Sequence, residues 1–318
     1  MKITAFFAER VLGLVGVLFA VSVLVFVLGN ELVPGDQARA FLGSEGATQE
    51  QLEQVREEMG LNDPIAERYW DWLSGVVTGD FGESAITRIQ VRDQLTKQIP
   101  VSFELASLAL IGAVIIGVPL GILAAVRANR PSDLVVRSTL LVVFSIPSFL
   151  FGIFLLRAGA THWKALYSSE YIALTEDLGA NLRGMILPAL SIALPVSAMV
   201  MQMTRGAMLE TLNTPYITAA RARGVPGRRI LFVHAFKNAL APVATLVGFV
   251  FGTLLGGLVV VEEIFGLPGL GRGFLESIAR REWSAVMAIT LVIASTFVVS
   301  NTLVDLFYPV LDPRQRKS

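Results

Sequence analysis

Few side chains in this sequence could make or break a covalent bond. Cysteine is absent, which removes disulfides, thiolate metal sites and a cysteine nucleophile. Histidine occurs twice, at His162 and His234. These two fall in loops assigned below to opposite faces of a membrane, so they cannot share a metal ion. Glu262 and Glu263 are adjacent carboxylates placed in an outer loop, where gating or simple solvation is the expected role. Glu104 follows Ser102 at an expected helix start and reads as a cap, because a carboxylate suits the positive end of the peptide dipoles. No G-x-x-x-x-G-K-[ST] run occurs, so the chain does not hydrolyse ATP through a P-loop. An intramembrane hydrolase would need a nucleophile with its base, paired carboxylates or metal ligands at one depth, and the spans supply none. A proton-coupled carrier would need a buried acid–base chain, which is also missing. What remains in the spans is neutral and polar: Gln202, Thr204, Ser295, Thr296, Ser300 and Asn301. Met199 and Met203 offer either an adaptable apolar surface or plain core. The expectation is a non-catalytic pathway without cofactor or metal, driven from outside itself.

The most patterned segment is a polar interruption at 205–237. Arg205, Arg221, Arg223, Arg228, Arg229 and Lys237 give six basic residues against one acid, Glu210. Tyr216 to Arg223 is rich in Ala and Arg and predicts a helix. Gly224 ends that helix and Pro226 prevents its continuation. A short helix with small side chains has little core of its own to bury, which makes it a candidate docking element for a partner.

The elements that position this loop are membrane spans. Hydrophobic residues make up 53% of the chain and charged ones 16%, with a mean hydropathy of +0.63, too apolar for a soluble domain of 318 residues. The net charge of zero gives no nucleic-acid reading. Six segments reach the ~20 apolar residues a bilayer requires: 11–29, 103–126, 134–156, 185–204, 239–261 and 285–306. The run Val11–Gly29 is longer than a signal-peptide core, and the cleavage-like Ala38-Arg39-Ala40 lies well beyond it, so the first span is an uncleaved anchor. Residues 30–100 carry six basic and thirteen acidic side chains and are assigned outside; the basic 127–137 and 205–237 loops are assigned inside. Segments 157–184 and 262–284 then lie outside. Both termini are inside, the tail carrying Arg314, Arg316 and Lys317.

The domain reading follows: an anchor at 1–29, a helical extracytoplasmic insert at 30–100, a core of five spans at 101–311 and a cytoplasmic tail at 312–318. Within the insert, Thr48 and Gln51 form a capping box, Leu52, Val55 and Met59 form an apolar stripe, and Gly60 supplies the stop. Asp63-Pro64 starts a second helix with Ile65, Tyr69, Trp72 and Val76 on one face. These faces either pack on each other and the membrane domain or dock a partner. In the fifth span Gly248, Gly252 and Gly256 form two overlapping G-x-x-x-G motifs, and Gly117 and Gly121 form another in the second span. Such spacing lets helices approach closely, here within the chain or against a second subunit. Pro119, Pro147, Pro188, Pro195 and Pro242 lie in or at the ends of spans. Broken helices are tolerated where they line a cavity or are buried in protein.

The inner loop resembles the so-called EAA loop of ABC importer permeases, centred on Ala-Ala-x-x-x-Gly, here Ala219-Ala220-Arg221-Ala222-Arg223-Gly224. Thr218 stands where the general pattern has Glu. The version here is similar to the dipeptide/oligopeptide/nickel branch, as are VPGDQARAFLG, GDFGES, GVPLGILAA, SIPSFLFG, VVVEEIFGLPGLG and DLFYPVLDPR, in order and spacing over nearly the whole chain. The resemblance implies an all-α polytopic protein of the type I ABC importer permease fold in a bacterial cytoplasmic membrane. It implies that Tyr216, Ala219, Ala220, Arg221, Arg223 and Gly224 form a coupling helix on a cytoplasmic ATPase. There Ala219 and Ala220 permit close approach, and Arg221 and Arg223 pair with acids or stay solvated. It also implies a second permease subunit, two ATPases that bind the ATP and Mg, and an extracytoplasmic binding protein. The expected cargo is a di- or oligopeptide, glutathione included, with nickel or another small solute as the alternative.

Overall fold

The computed structural model describes residues 2–29, 42, 48–58, 60–84, 88–168 and 170–311. Residues 30–41 and 43–47, Met59 and the tail after 311 were assigned in the sequence and lie outside the described residues. Among the described residues every regular element is helical, apart from one isolated antiparallel bridge between Glu83 and Gln90. The elements are α1 (Lys2–Val27), α2 (Gln49–Glu58), α3 (Ile65–Thr78), α4 (Val91–Val126), α5 (Pro131–Ser145) and α6 (Ser148–Thr161). They continue with α7 (Leu178–Leu212), α8 (Pro215–Ala222), α9 (Gly227–Gly257), α10 (Val259–Phe265), α11 (Leu270–Ala279) and α12 (Trp283–Leu311).

Five of these helices are long and apolar enough to cross a bilayer, and α5 with α6 makes a sixth if the pair counts as one span. The continuous span expected at 134–156 is therefore corrected: α5 and α6 meet at 93°. Pro147 causes the break, because its ring excludes the preceding residue from helical backbone and Ile146 is extended (φ −87°, ψ 123°). Pro188 and Pro195 stay within α7, and Pro242 within α9.

The chain divides into two units. One combines Met1–Ser102 with Pro268–Val298. Its core is Val91 and Leu95 of α4 against Leu270 of α11 and Ala285, Ala288 and Ile289 of α12. The Leu270 amide donates to Ser102 Oγ (2.8 Å), satisfying an orphan N–H at the start of α11. The capping box is present: the Gln51 amide donates to Thr48 Oγ1 (3.3 Å), and Gln51 Oε1 accepts from the Thr48 amide (3.0 Å). Leu52 and Val55 are buried against Leu61, and Gly60 takes a positive φ of 62° beyond α2.

The second unit combines Phe103–Leu267 with Val299–Ser318 and is built around α7. On one side Gly117 and Gly121 of α4 let the α7 backbone approach. A Cβ on Gly117 would lie 2.6 Å from the Ser197 carbonyl, and one on Gly121 would lie 2.6 Å from Thr204 Cβ and 2.7 Å from the Met201 carbonyl. On another side Leu140 of α5 packs with Ala124, Ala198 and Met201. Four buried residues, Ala125, Met208, Ala235 and Ala239, then tie the ends of α4 and α7 to the start of α9.

Candidate coupling element and the polar groups behind it

α7 stops at Leu212, where the Asn213 amide still reaches the Leu209 carbonyl (3.1 Å). Thr214 is extended and Pro215 opens α8, a position where proline costs nothing because the N–H it lacks would be unpaired. α8 covers Pro215–Ala222, as the Ala- and Arg-rich pattern predicted to within a residue at each end. Gly224 adopts φ +77° and closes the helix: its amide bonds the Arg221 carbonyl (2.9 Å) and the Val225 amide bonds the Ala220 carbonyl (3.1 Å). That left-handed backbone is the requirement glycine meets without strain. Pro226 then starts α9, whose second turn, Ile230–Phe236, is π-helical.

The two faces of α8 differ. Ile217 and Ala220 are buried within the chain, at 0% and 2% exposure. Tyr216, Thr218, Ala219, Arg221, Ala222 and Arg223 are exposed, and so is Gly224. Of the alanine pair singled out in the sequence, only Ala219 is on the free side; Ala220 anchors the helix to its own chain. Sequence reasoning missed Ile217, although its spacing of three from Ala220 is the signal that could have found it. It also missed that Tyr216 meets His234 of the π segment, through a hydrogen bond (2.5 Å) and an edge-on ring contact with centroids 5.4 Å apart. Nothing local marks that pair. α8 is thus fastened at both ends of the turn it makes.

A short helical stretch before α8, α7 makes an ion pair with α5 whose carboxylate is buried and whose guanidinium is half-buried. Arg205 of α7 grips Asp133 of α5 with two bonds, Nε to Oδ1 (2.9 Å) and Nη2 to Oδ2 (2.7 Å). Asp133 is 2% exposed and also accepts the Asn129 amide (3.0 Å), whose residue has φ +64° in the α4–α5 turn. Bidentate geometry of this kind fixes orientation as well as distance. Charge counting had read both residues only as loop charge. The pair joins α5 to α7 one short helical stretch before the coupling element.

Two acidic assignments are corrected. Glu104 does not cap a helix start, since α4 begins at Val91 and places it mid-helix. It is buried and accepts a hydrogen bond from Tyr171 Oη (2.8 Å). Burial first, then that bond to the Glu104 carboxylate, pushes the Tyr171 hydroxyl well above the ordinary phenol range, so it stays a donor. Glu262 and Glu263 lie on α10 rather than in a loop, and Glu262 is completely buried. In α9, Gly248 abuts Val304 of α12, Gly252 is buried, and Gly256 is exposed with no neighbouring atom where a Cβ would stand. Among the described residues no group of three or more His, Asp or Glu could hold a metal ion.

Spans packed around α7, with a short exposed helix turned out between α7 and α9, suit a membrane subunit that must meet a partner. The chain belongs to the inner membrane components of binding-protein-dependent transport systems: the family model so described matches residues 117–317, and the model for the N-terminal part of such components matches 3–106. Within that family it is a peptide-type ABC permease, a non-catalytic transmembrane subunit. The glutathione transport system permease protein GsiC of Shigella flexneri is 35% identical over 97% of both chains. A probable peptide ABC transporter permease protein of Sinorhizobium fredii is 32% identical over 97% of this chain and 98% of its own. The GsiC of Escherichia coli K12 is 34% identical with the same coverage as the Shigella protein. The crystal structure of an amino acid ABC transporter superposes with a TM-score of 0.52 at 18% identity, covering 69% of this chain and 94% of that one, which establishes the fold.

Proposed function

We propose that this chain forms half of the translocation pathway of an ATP-driven importer of short peptides, glutathione among them. A second, homologous permease forms the other half. Two cytoplasmic ATPase subunits hold ATP and Mg, and an extracytoplasmic binding protein delivers the cargo. Both termini and the 205–237 loop face the cytoplasm, where the 214–237 segment carries the motion of the ATPases into the spans. The peptide class rests on relatives whose names are those of glutathione and peptide transporters, over nearly the whole chain.

The observation that carries the coupling role is the two-faced α8. Ile217 and Ala220 root it in the chain, while Ala219 and Ala222 leave an exposed surface smooth enough to enter a cleft. A pull on α8 passes to the π segment of α9 through Tyr216 and His234; Met208, Ala235 and Ala239 join that segment to α7, and Arg205 passes the motion on to α5.

The test is uptake in the reconstituted complex. Ala219→Trp adds bulk on the free face and should abolish ATP-driven peptide uptake while the chain folds and inserts normally. Wild-type uptake by a correctly assembled variant would remove the coupling role. Uptake of labelled glutathione, dipeptides and radioactive nickel in cells with and without this gene tests the cargo. Loss of nickel uptake with peptide uptake intact would overturn the peptide assignment.

A further inference from the structure

We propose that α3 is an interfacial helix, with Ala66, Trp70 and Val77 buried in the phospholipid leaflet at the C-terminal end of α1. At ~100° per residue these three fall within about 40° of one another around the helix. Val77 is 79% exposed and Trp70 58% exposed, so none of the described residues covers the stripe. The sector beside it, Tyr69, Trp72, Leu73 and Val76, is buried or half-buried. The remaining sector holds Glu67, Arg68 and Asp71. Core-facing, neutral and charged sectors in that order are what a helix lying along a membrane surface requires.

The depth of the docking decides what covers the stripe. Tyr69 packs between Phe19 and Phe26 of α1, with ring centroids 6.1 and 5.5 Å away. Trp70 sits 6.3 Å from Phe19, and Trp72 5.4 Å from Phe26. Phe19 lies about 12 Å short of Val27 along the helix axis at ~1.5 Å per residue, inside the apolar span Glu9–Val27. The aromatic residues of α3 therefore sit below the end of a membrane-crossing helix. Phe19 is itself exposed on that span, so its lipid-facing surface continues without interruption onto Trp70. The one hydroxyl carried down, Tyr69 Oη, is satisfied by Ser22 Oγ (2.8 Å), as a polar group in hydrocarbon must be. The partner is phospholipid, its glycerol-ester region and upper acyl chains.

The experiment uses the complete transporter in phospholipid vesicles. Trp72, Trp163 and Trp283 are changed to Phe, leaving Trp70 the sole tryptophan of this chain, and the emission of the same complex with Trp70→Phe as well is subtracted to remove the other subunits' signal. Lipids brominated near the top of the acyl chain should lower its emission roughly twofold, while aqueous iodide has little effect. Strong iodide quenching would place the stripe in water, and protection from both quenchers would place it under protein, such as a delivered binding protein; either result overturns the proposal. Because the chain is free of cysteine, a spin label at Val77→Cys gives a second reading if the tryptophan variant misfolds. It should collide with oxygen in preference to a water-soluble nickel chelate, and the reverse preference would overturn the proposal. A label at Val15→Cys on α1 is the control: lipid exposure there with water exposure at Val77 defeats the α3 assignment alone, without touching the span.

Discussion

Two helices carry glycines four residues apart, α4 at Gly117 and Gly121 and α9 at Gly248, Gly252 and Gly256. The α4 pair is closed within the chain: backbone carbonyls and β-carbons of α7 occupy the space a side chain would need. The α9 series grades from closed to open. Gly248 abuts Val304, Gly252 is buried, and Gly256 faces nothing. The motif states that two helices can approach closely. Only the surroundings decide whether that capacity is used inside the chain or left for a neighbour. This difference separates glycines that build the subunit from glycines available to build the complex.

The largest effect should come from forcing the closed side open. Gly121→Leu must displace a backbone carbonyl and a β-carbon, neither of which can rotate away. Its cost should exceed the ~1–3 kcal/mol of ordinary overpacking. We expect no folded chain in detergent by size-exclusion chromatography. Recovery of wild-type amounts with an unchanged melting temperature would mean that α4 and α7 are not in contact at this point.

Next is the ion pair that holds α7 from its other side. Asp133→Ala leaves Arg205, 17% exposed at its side chain, half-buried without its carboxylate, which should cost about 2–3 kcal/mol, less than the ~3–5 kcal/mol of breaking a fully buried pair. Asp133→Ala with Arg205→Leu should recover much of that loss, because no charge is then stranded. If the double variant is as unstable as the single one, the pair sets geometry through its shape and the charge argument fails. The exposed Arg272–Glu276 pair is a suitable reference, worth about 0–0.5 kcal/mol.

The contrast between local and distant contacts also explains what could be read from the sequence. The capping box at Thr48 and Gln51, the stop at Gly224 and the helix across Tyr216 are set by residues within a few positions of one another, and the structure has all three. Long apolar runs likewise locate the spans. Contacts made across long separations left no such trace. Asp133 finds Arg205 in a different helix, and Tyr171 finds Glu104, so a carboxylate placed at a helix start by its neighbours proved to be buried mid-helix. α4 begins at Val91, well before the apolar segment expected from 103, because its first turns serve a protein core with α11 and α12. Hydropathy measures suitability for lipid and is blind to that. The 93° break at Pro147 was only half legible: proline marked the place, but Pro188 and Pro195 carry the same mark within an unbroken helix.

Within the α9 series the middle position should respond moderately. Gly252→Leu introduces bulk at a buried site and should cost about 1–3 kcal/mol, read as a lowered melting temperature of the isolated chain. An unchanged melting temperature would extend the open surface from Gly256 back to Gly252.

The smallest effect on the chain itself should be at Gly256. A side chain there meets no atom, so Gly256→Leu should change the chain's own stability by less than about 0.5 kcal/mol. Its value lies in what happens next. If the free end of the glycine series receives a helix of the second permease, leucine will hold the two backbones apart and the yield of the assembled complex will fall while the isolated chain melts as before. If Gly256 faces lipid, both quantities will be unchanged, since leucine is at home in hydrocarbon. Measuring complex yield and chain stability on the same variant therefore separates a partner-facing glycine from a lipid-facing one. A fall in both would mean that Gly256 is enclosed by its own chain, and the distinction between the two glycine series would disappear.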